Sequence, residues 1–179
     1  EQDPAWGGRT VWLQHHVVAL LEHEPDRALE VAATHVRARP MEVESHALLA
    51  LCQLARGQTD EQTVPRLEMA LQSARRLFPS LRHPHRPAIL TATLAWAHAV
   101  EGRCDLAREQ VERATIPPTP LPAAEVGWRH GRALLACGDT DAAQERFAKH
   151  AETVGWAGRR CAAELAAIRG TRSSGASDP

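Results

Sequence analysis

The sequence predicts an all-α protein built as a stack of helical hairpins. Three observations carry that expectation. Apolar residues recur three and four apart, as in Leu13, Val17, Leu20 and Leu21, in Leu49, Cys52 and Leu54, and in Leu90, Leu94 and Ala97. That spacing lines one face of a helix. Ala, Leu, Arg, Glu and Gln dominate, all good helix formers, whereas Tyr is absent and Phe occurs twice, so strand-favouring side chains are scarce. Turn signals at His23, Gly57, Gly102 and Gly138 stand 34, 45 and 36 residues apart, and periods of that size belong to stacked hairpins.

Taken in order, the first hairpin turns at His23, and Pro25 in "HEPDRALEV" opens its second helix where proline costs no hydrogen bond. Pro40 closes it. "ARGQTDEQ" stops the next helix at Gly57 and offers Thr59 or Asp60 as an N-cap. An insertion around "TDEQTVPRLE" follows, and Pro79 ends the pair. "VEGRCDLAREQ" repeats the grammar with Gly102 and Asp105, and "ACGDTDAAQE" repeats it with Gly138 and Asp139. "TIPPTPLPA", residues 115–123, separates the last two pairs. This gives eight helices in four antiparallel pairs and a ninth from Trp156 to Ile168. Residues 1–9 form an N-terminal extension, 10–169 the repeat domain, and 170–179 ("GTRSSGASDP") a disordered tail.

The totals exclude several function classes. A chain of 179 residues can bury a real core. Its 21 basic and 22 acidic residues leave a formal net charge of −1, which speaks against direct nucleic-acid binding, where a basic face is the usual footprint. No apolar run approaches the ~18 residues of a membrane span. "EQDPAWGGRT" has neither the basic start nor the apolar stretch of a signal peptide. Cys52, Cys104, Cys137 and Cys161 form no C-x-x-C pair. They read as buried free thiols of a cytoplasmic protein rather than a disulfide framework or zinc site.

Placed in register, the hairpins resemble the tetratricopeptide repeat, a 34-residue helix–turn–helix with small residues where its helices touch. The third unit, "AILTATLAWAHAVEGRCDLAREQVERATIPPTP", carries Leu94 and Ala95 at the Leu-small pair, Gly102 at the turn, Ala107 at the signature alanine and Ala114 seven residues later. In the fourth, Gly131 takes the small position of the first helix, Gly138 the turn, Ala143 the signature alanine and Phe147 the aromatic position. In the first, Trp12, Ala28 and Pro40 match, while His15 and His16 depart from the usual Leu and Gly; Ala50 and Gly57 represent the second. The resemblance covers roughly residues 10 to 155. It implies a right-handed superhelix of about four hairpins with a capping helix. The segment after it, with Phe147, Trp156, Ala157, Arg159, Glu164, Leu165 and Gly170 in order, is similar to the last part of helical-repeat regions in large actinobacterial transcriptional regulators of the LuxR and antibiotic-regulator types.

Sites of chemistry are sparse. His15 and His16 diverge by ~100° on a helix, and His83 and His85 lie among Arg82 and Arg86, whose charges repel a cation. Neither H-E-x-x-H, a G-x-S-x-G elbow nor a phosphate loop occurs. No metal, cofactor or catalytic residue is expected. The resemblance implies instead an inner groove lined by the first helices. Its residues would be Leu13, Val17, Leu20, Leu21, Glu44, Leu51, Leu54, Ile89, Trp96, Val100, Glu125, Trp128, Arg132 and Leu135. The fitting partner is an amphipathic helix or an apolar peptide, with Arg132 and Glu125 orienting it by charge, or a second copy of the chain. Two alternatives stand beside this one: the final helix fills the groove, or His46, His98 and His130 gather in a pocket for a small molecule or catalysis.

Overall fold

The computed structural model describes residue 13 and residues 16–77 and 85–174. The protein is all-α: no strand occurs among the described residues. The helices are α1 (residues 16–23), α2 (Pro25–Ala38), α3 (Val43–Ala55), α4 (Thr63–Leu77), α5 (Arg86–Val100), α6 (Cys104–Arg113), α7 (Pro120–Ala136), α8 (Thr140–Ala148) and α9 (Trp156–Ser174). Trp12, His15, Pro79, His83 and residues 1–9 and 175–179 lie outside the described residues. The chain divides into two compact units, Glu1–Leu77 and Phe78–Pro179, where the sequence reads as one array over 10–169. No described helix is long and apolar enough to cross a membrane.

The turns explain the helix lengths. Gly57, Gly102 and Gly138 have φ of 67°, 79° and 81°, left-handed values that suit glycine. Each ends its helix with the same pair of bonds. The glycine N–H donates to the carbonyl three residues back (Leu54, Ala99, Leu135). The following N–H donates to the carbonyl five back (Gln53, His98, Leu134) at 2.8–3.0 Å. This double closure satisfies carbonyls that a helix end leaves open. Prolines start the other ends: Pro25 opens α2, Pro87 lies in the first turn of α5, and Pro120 opens α7.

In the first unit α3 packs against both α2 and α4. Its apolar run is consumed there: Leu48, Leu49, Ala50, Leu51, Cys52 and Leu54 are all buried, facing small residues such as Ala28, Ala32, Ala70 and Ala74 on the neighbours. Such side chains let helix axes approach to ~8–10 Å. At the turn, the Asp60 carboxylate accepts from the Gln62 N–H, the Thr63 hydroxyl and the Arg66 guanidinium. Burial works against ionisation, but these bonds and one from Gln53 outweigh it and pull the carboxyl down to about 2.

The second unit has a regular succession. α5 packs on its own partner α6 and on α7; α7 packs on its partner α8 and on α9. Glycines of α7 receive rings from α8 and the turn after it. The Phe147 ring sits where a Cβ of Gly131 would stand, and the His150 ring where one of Gly127 would. Ala107 and Ala143 are fully buried.

Three local expectations are corrected. Asp139 stands at the N-cap of α8, but its carboxylate makes no capping bond. It accepts instead from Arg108 Nε and Nη2 at 2.7 and 3.2 Å, tying α6 to the turn after α7. Those bonds hold Asp139 below the usual carboxylate range. The cysteines are not all free: Cys104 and Cys137 are joined as a disulfide, while Cys52 and Cys161 are buried thiols. Finally, α9 runs past Ile168 and Gly170 to Ser174, taking five residues of the expected tail into helix.

Candidate functional site

The sequence-predicted groove residues fall into two groups. Leu13, Val17, Leu20, Leu21, Leu51, Leu54, Trp96 and Trp128 are buried in their own units. Glu44, Ile89, Val100, Glu125, Arg132 and Leu135 are partly exposed. All of the second group except Glu44 belong to the second unit, on α5 and α7. Spacings of seven and four along α5 (Ile89, Trp96, Val100) and three, four and three along α7 (Glu125, Trp128, Arg132, Leu135) put each set on one helical face.

The centre of that face is occupied by a chain of indoles. Trp96 meets Trp128 edge-on at a centroid distance of 5.1 Å and 82°, and Trp128 meets Trp156 of α9 at 4.9 Å and 71°. Pairs in this geometry contribute ~0.5–1.5 kcal/mol beyond the area they bury. Trp128 is 1% exposed, and its indole Nε1 has no hydrogen-bond partner. Guanidinium groups complete the packing: Arg132 lies 5.2 Å from the Trp96 centroid, and Arg160 5.5 Å from that of Trp128.

The two charges expected to orient a partner are engaged within the chain. Arg132 Nη1 donates to both carboxylate oxygens of Glu164 on α9, at 3.1 and 3.2 Å. Glu125 pairs with the buried Arg129 at 2.7 Å. Trp128 and Arg132 therefore join α7 to α9. The sequence signal for this was Trp156 and Glu164, eight residues apart on the last helix, and the alternative that this helix fills the groove anticipated its place beside Trp128 and Arg132, though not these pairings. What remains accessible on the face is an apolar margin, Ile89, Val100 and Leu135, beside the acidic Glu125.

The three histidines divide between the units. His46 belongs to the first unit, where its Nε2 contacts the Pro40 carbonyl at 2.7 Å. His98 and His130 are buried in the second. Neither ring nitrogen of His130 has a hydrogen-bond partner. Burial, then the charges of Arg146, Arg129 and His150, push its pKa down to about 3. Among the described residues, no three His, Cys, Asp or Glu side chains stand together as a group able to hold a metal ion.

A shallow depression of about 500 Å³ lies away from that face, at the start of α7, where Leu121 and Val154 are exposed. Sequence reasoning missed it, because Leu121 reads as part of a proline-rich linker, although it lies in the first turn of α7, and Val154 stands in a loop. Comparison of the chain with family models, curated proteins and solved structures finds no match.

Proposed function

We propose that this chain is a non-enzymatic helical-repeat module of the tetratricopeptide type, and that it binds an amphipathic helix or apolar peptide along the α5–α7 face. The observation that carries this reading is the succession in the second unit: each first helix packs on its own partner and on the next first helix. That leaves one flank of α5 and α7 without a covering second helix, and it is where Ile89, Val100 and Leu135 keep part of their surface in water. Apolar side chains of that kind, spaced by helical turns, match the stripe of an amphipathic helix. The similarity of the last segment to bacterial regulators supports a role as the cytoplasmic sensing or self-association part of such a protein.

Site-specific photocrosslinking tests the proposal. A photoreactive amino acid at position 89 or 135 of the full chain should give adducts with one defined partner, or with a second copy. The same probe at position 121 or 154 should give none. Adducts arising only from 121 and 154, or none from 89 and 135 in the native cell extract, would overturn the reading.

A further inference from the structure

The four cysteines divide by their surroundings. Cys52 and Cys161 are fully buried, and burial pushes both thiols up to about 12, helped at Cys161 by the charge of Glu164. Thiols in that state stay protonated and inert. Cys104 and Cys137 are only half-buried and are bonded to each other, with Cα atoms 5.4 Å apart. Cys104 is the first residue of α6, a ten-residue helix whose N-terminal amides favour a negative sulfur. Cys137 closes α7 just before Gly138, and Arg108 of α6 reaches its carbonyl through Nη2 at 3.5 Å.

We propose that Cys104–Cys137 is a thiol–disulfide exchange site, a clasp between the two hairpins of the second unit that a dithiol opens and an oxidised dithiol closes. In the opening direction a thiolate of the reductant attacks Cys137 Sγ. The bond between the cysteines breaks, and its electron pair leaves on Cys104. The departing thiolate is stabilised by the free amides at the start of α6, which selects Cys104 as the leaving group. The reductant's second thiolate then attacks its own bonded sulfur and releases Cys137. The reductant ends as a disulfide, and the two protons its thiols lost are taken up by the two cysteines. Closing reverses each step.

The clasp joins the start of α6 to the end of α7. The other described ties at that place both come from Arg108, to the Asp139 carboxylate and to the Cys137 carbonyl, and the Arg108–Asp139 pair is part-exposed. The packing of α5 on α7, including Trp96 against Trp128, does not pass through α6. Opening therefore loosens α6 and leaves the rest of the unit folded.

The test uses the full chain and dithiothreitol as the dithiol. In the oxidised protein, iodoacetamide should modify neither Cys104 nor Cys137. After dithiothreitol in native buffer it should modify both, while Cys52 and Cys161 stay unmodified and far-UV circular dichroism is unchanged. Amide exchange across residues 104–113 should then accelerate about tenfold or more, with α5 and α7 unaffected. Adding oxidised dithiothreitol should restore slow exchange. The double variant Cys104→Ser/Cys137→Ser should exchange like the reduced protein and ignore the dithiol. Reduction only in denaturant, loss of helicity on reduction, unchanged exchange in α6, or a dithiol response in the double variant would each overturn the proposal.

Discussion

His130 is neutral because α7 holds it away from water, with Arg146 and Arg129 nearby to penalise a further positive charge. Its pKa falls from 6.5 unfolded to about 3 folded, so between those values the unfolded chain binds the extra proton. Stability is then fully present above the unfolded pKa and is lost progressively as pH falls toward the folded one. From pH 7.5 to pH 5 this one group should cost about 2 kcal/mol, read as a lower urea midpoint. His150, also lowered by burial and by Lys149 and Arg146, adds in the same direction. His130→Leu should flatten the dependence over that window; an unchanged slope would show that His130 is not the responsible group. Glycines make a second residue-scale contrast. Gly131→Ala gains up to ~1 kcal/mol of helix propensity, but its methyl would overlap the Phe147 ring, which is fully buried and cannot withdraw. Overpacking of ~1–3 kcal/mol wins, and the melting temperature should fall. Gly170→Ala in α9 meets nothing within 4 Å, so there the propensity term acts alone and the temperature should rise.

Helix ends were the most legible part of the sequence, because one residue type encodes them. A left-handed position requires glycine, and Gly57, Gly102 and Gly138 each sit at one. Proline needs a place where its missing N–H goes unnoticed, as at Pro25. Contacts between elements were legible only where size alone decides them. Ala107 and Ala143 are buried at their crossings as their small size requires, so Ala107→Leu or Ala143→Leu should each cost ~1–3 kcal/mol in urea denaturation. Where one residue type serves two purposes, the sequence is silent. An aspartate after a helix-ending glycine reads as a cap, yet Asp139 is taken by Arg108, 31 residues earlier. Cysteines 33 apart carry no local pattern; their pairing becomes visible only once the ends of α6 and α7 are known to adjoin. Closing a loop of that length should stabilise the unit by about 3–4 kcal/mol through the entropy of the unfolded chain. The reduced protein should therefore melt at lower urea with its helical signal otherwise intact.

At the scale of the molecule, a repeat array draws its stability from neighbouring elements rather than from one central core. The second unit shows the consequence for the site. α7 has neighbours on both flanks, and α9 supplies Trp156 and Glu164 to cover what would otherwise be the last open edge. Of the groove expected from the sequence, the buried indoles and Arg132 thus went to holding the helices of this unit together, while the margin of Ile89, Val100 and Leu135 stayed partly in water. Periodicity alone could not separate those roles, since an inner-face tryptophan and an inter-helix tryptophan occupy the same helical phase. The unit Phe78–Pro179 contains α5 to α9, the disulfide and the indole chain. Expressed as residues 78–179, it should fold cooperatively, keep the near-ultraviolet circular dichroism of the coupled Trp96, Trp128 and Trp156, and give the same photocrosslinks from positions 89 and 135 as the full chain. A fragment that retains helicity but loses the near-ultraviolet signal would mean that packing of the α5–α7–α9 face depends on residues before Phe78. Removing α9 as well, by ending the fragment at Gly155, should strip the cover from Trp128 and unpair Arg132, with loss of cooperative melting. Undiminished cooperativity there would contradict the account of α9 as the element that closes the second unit.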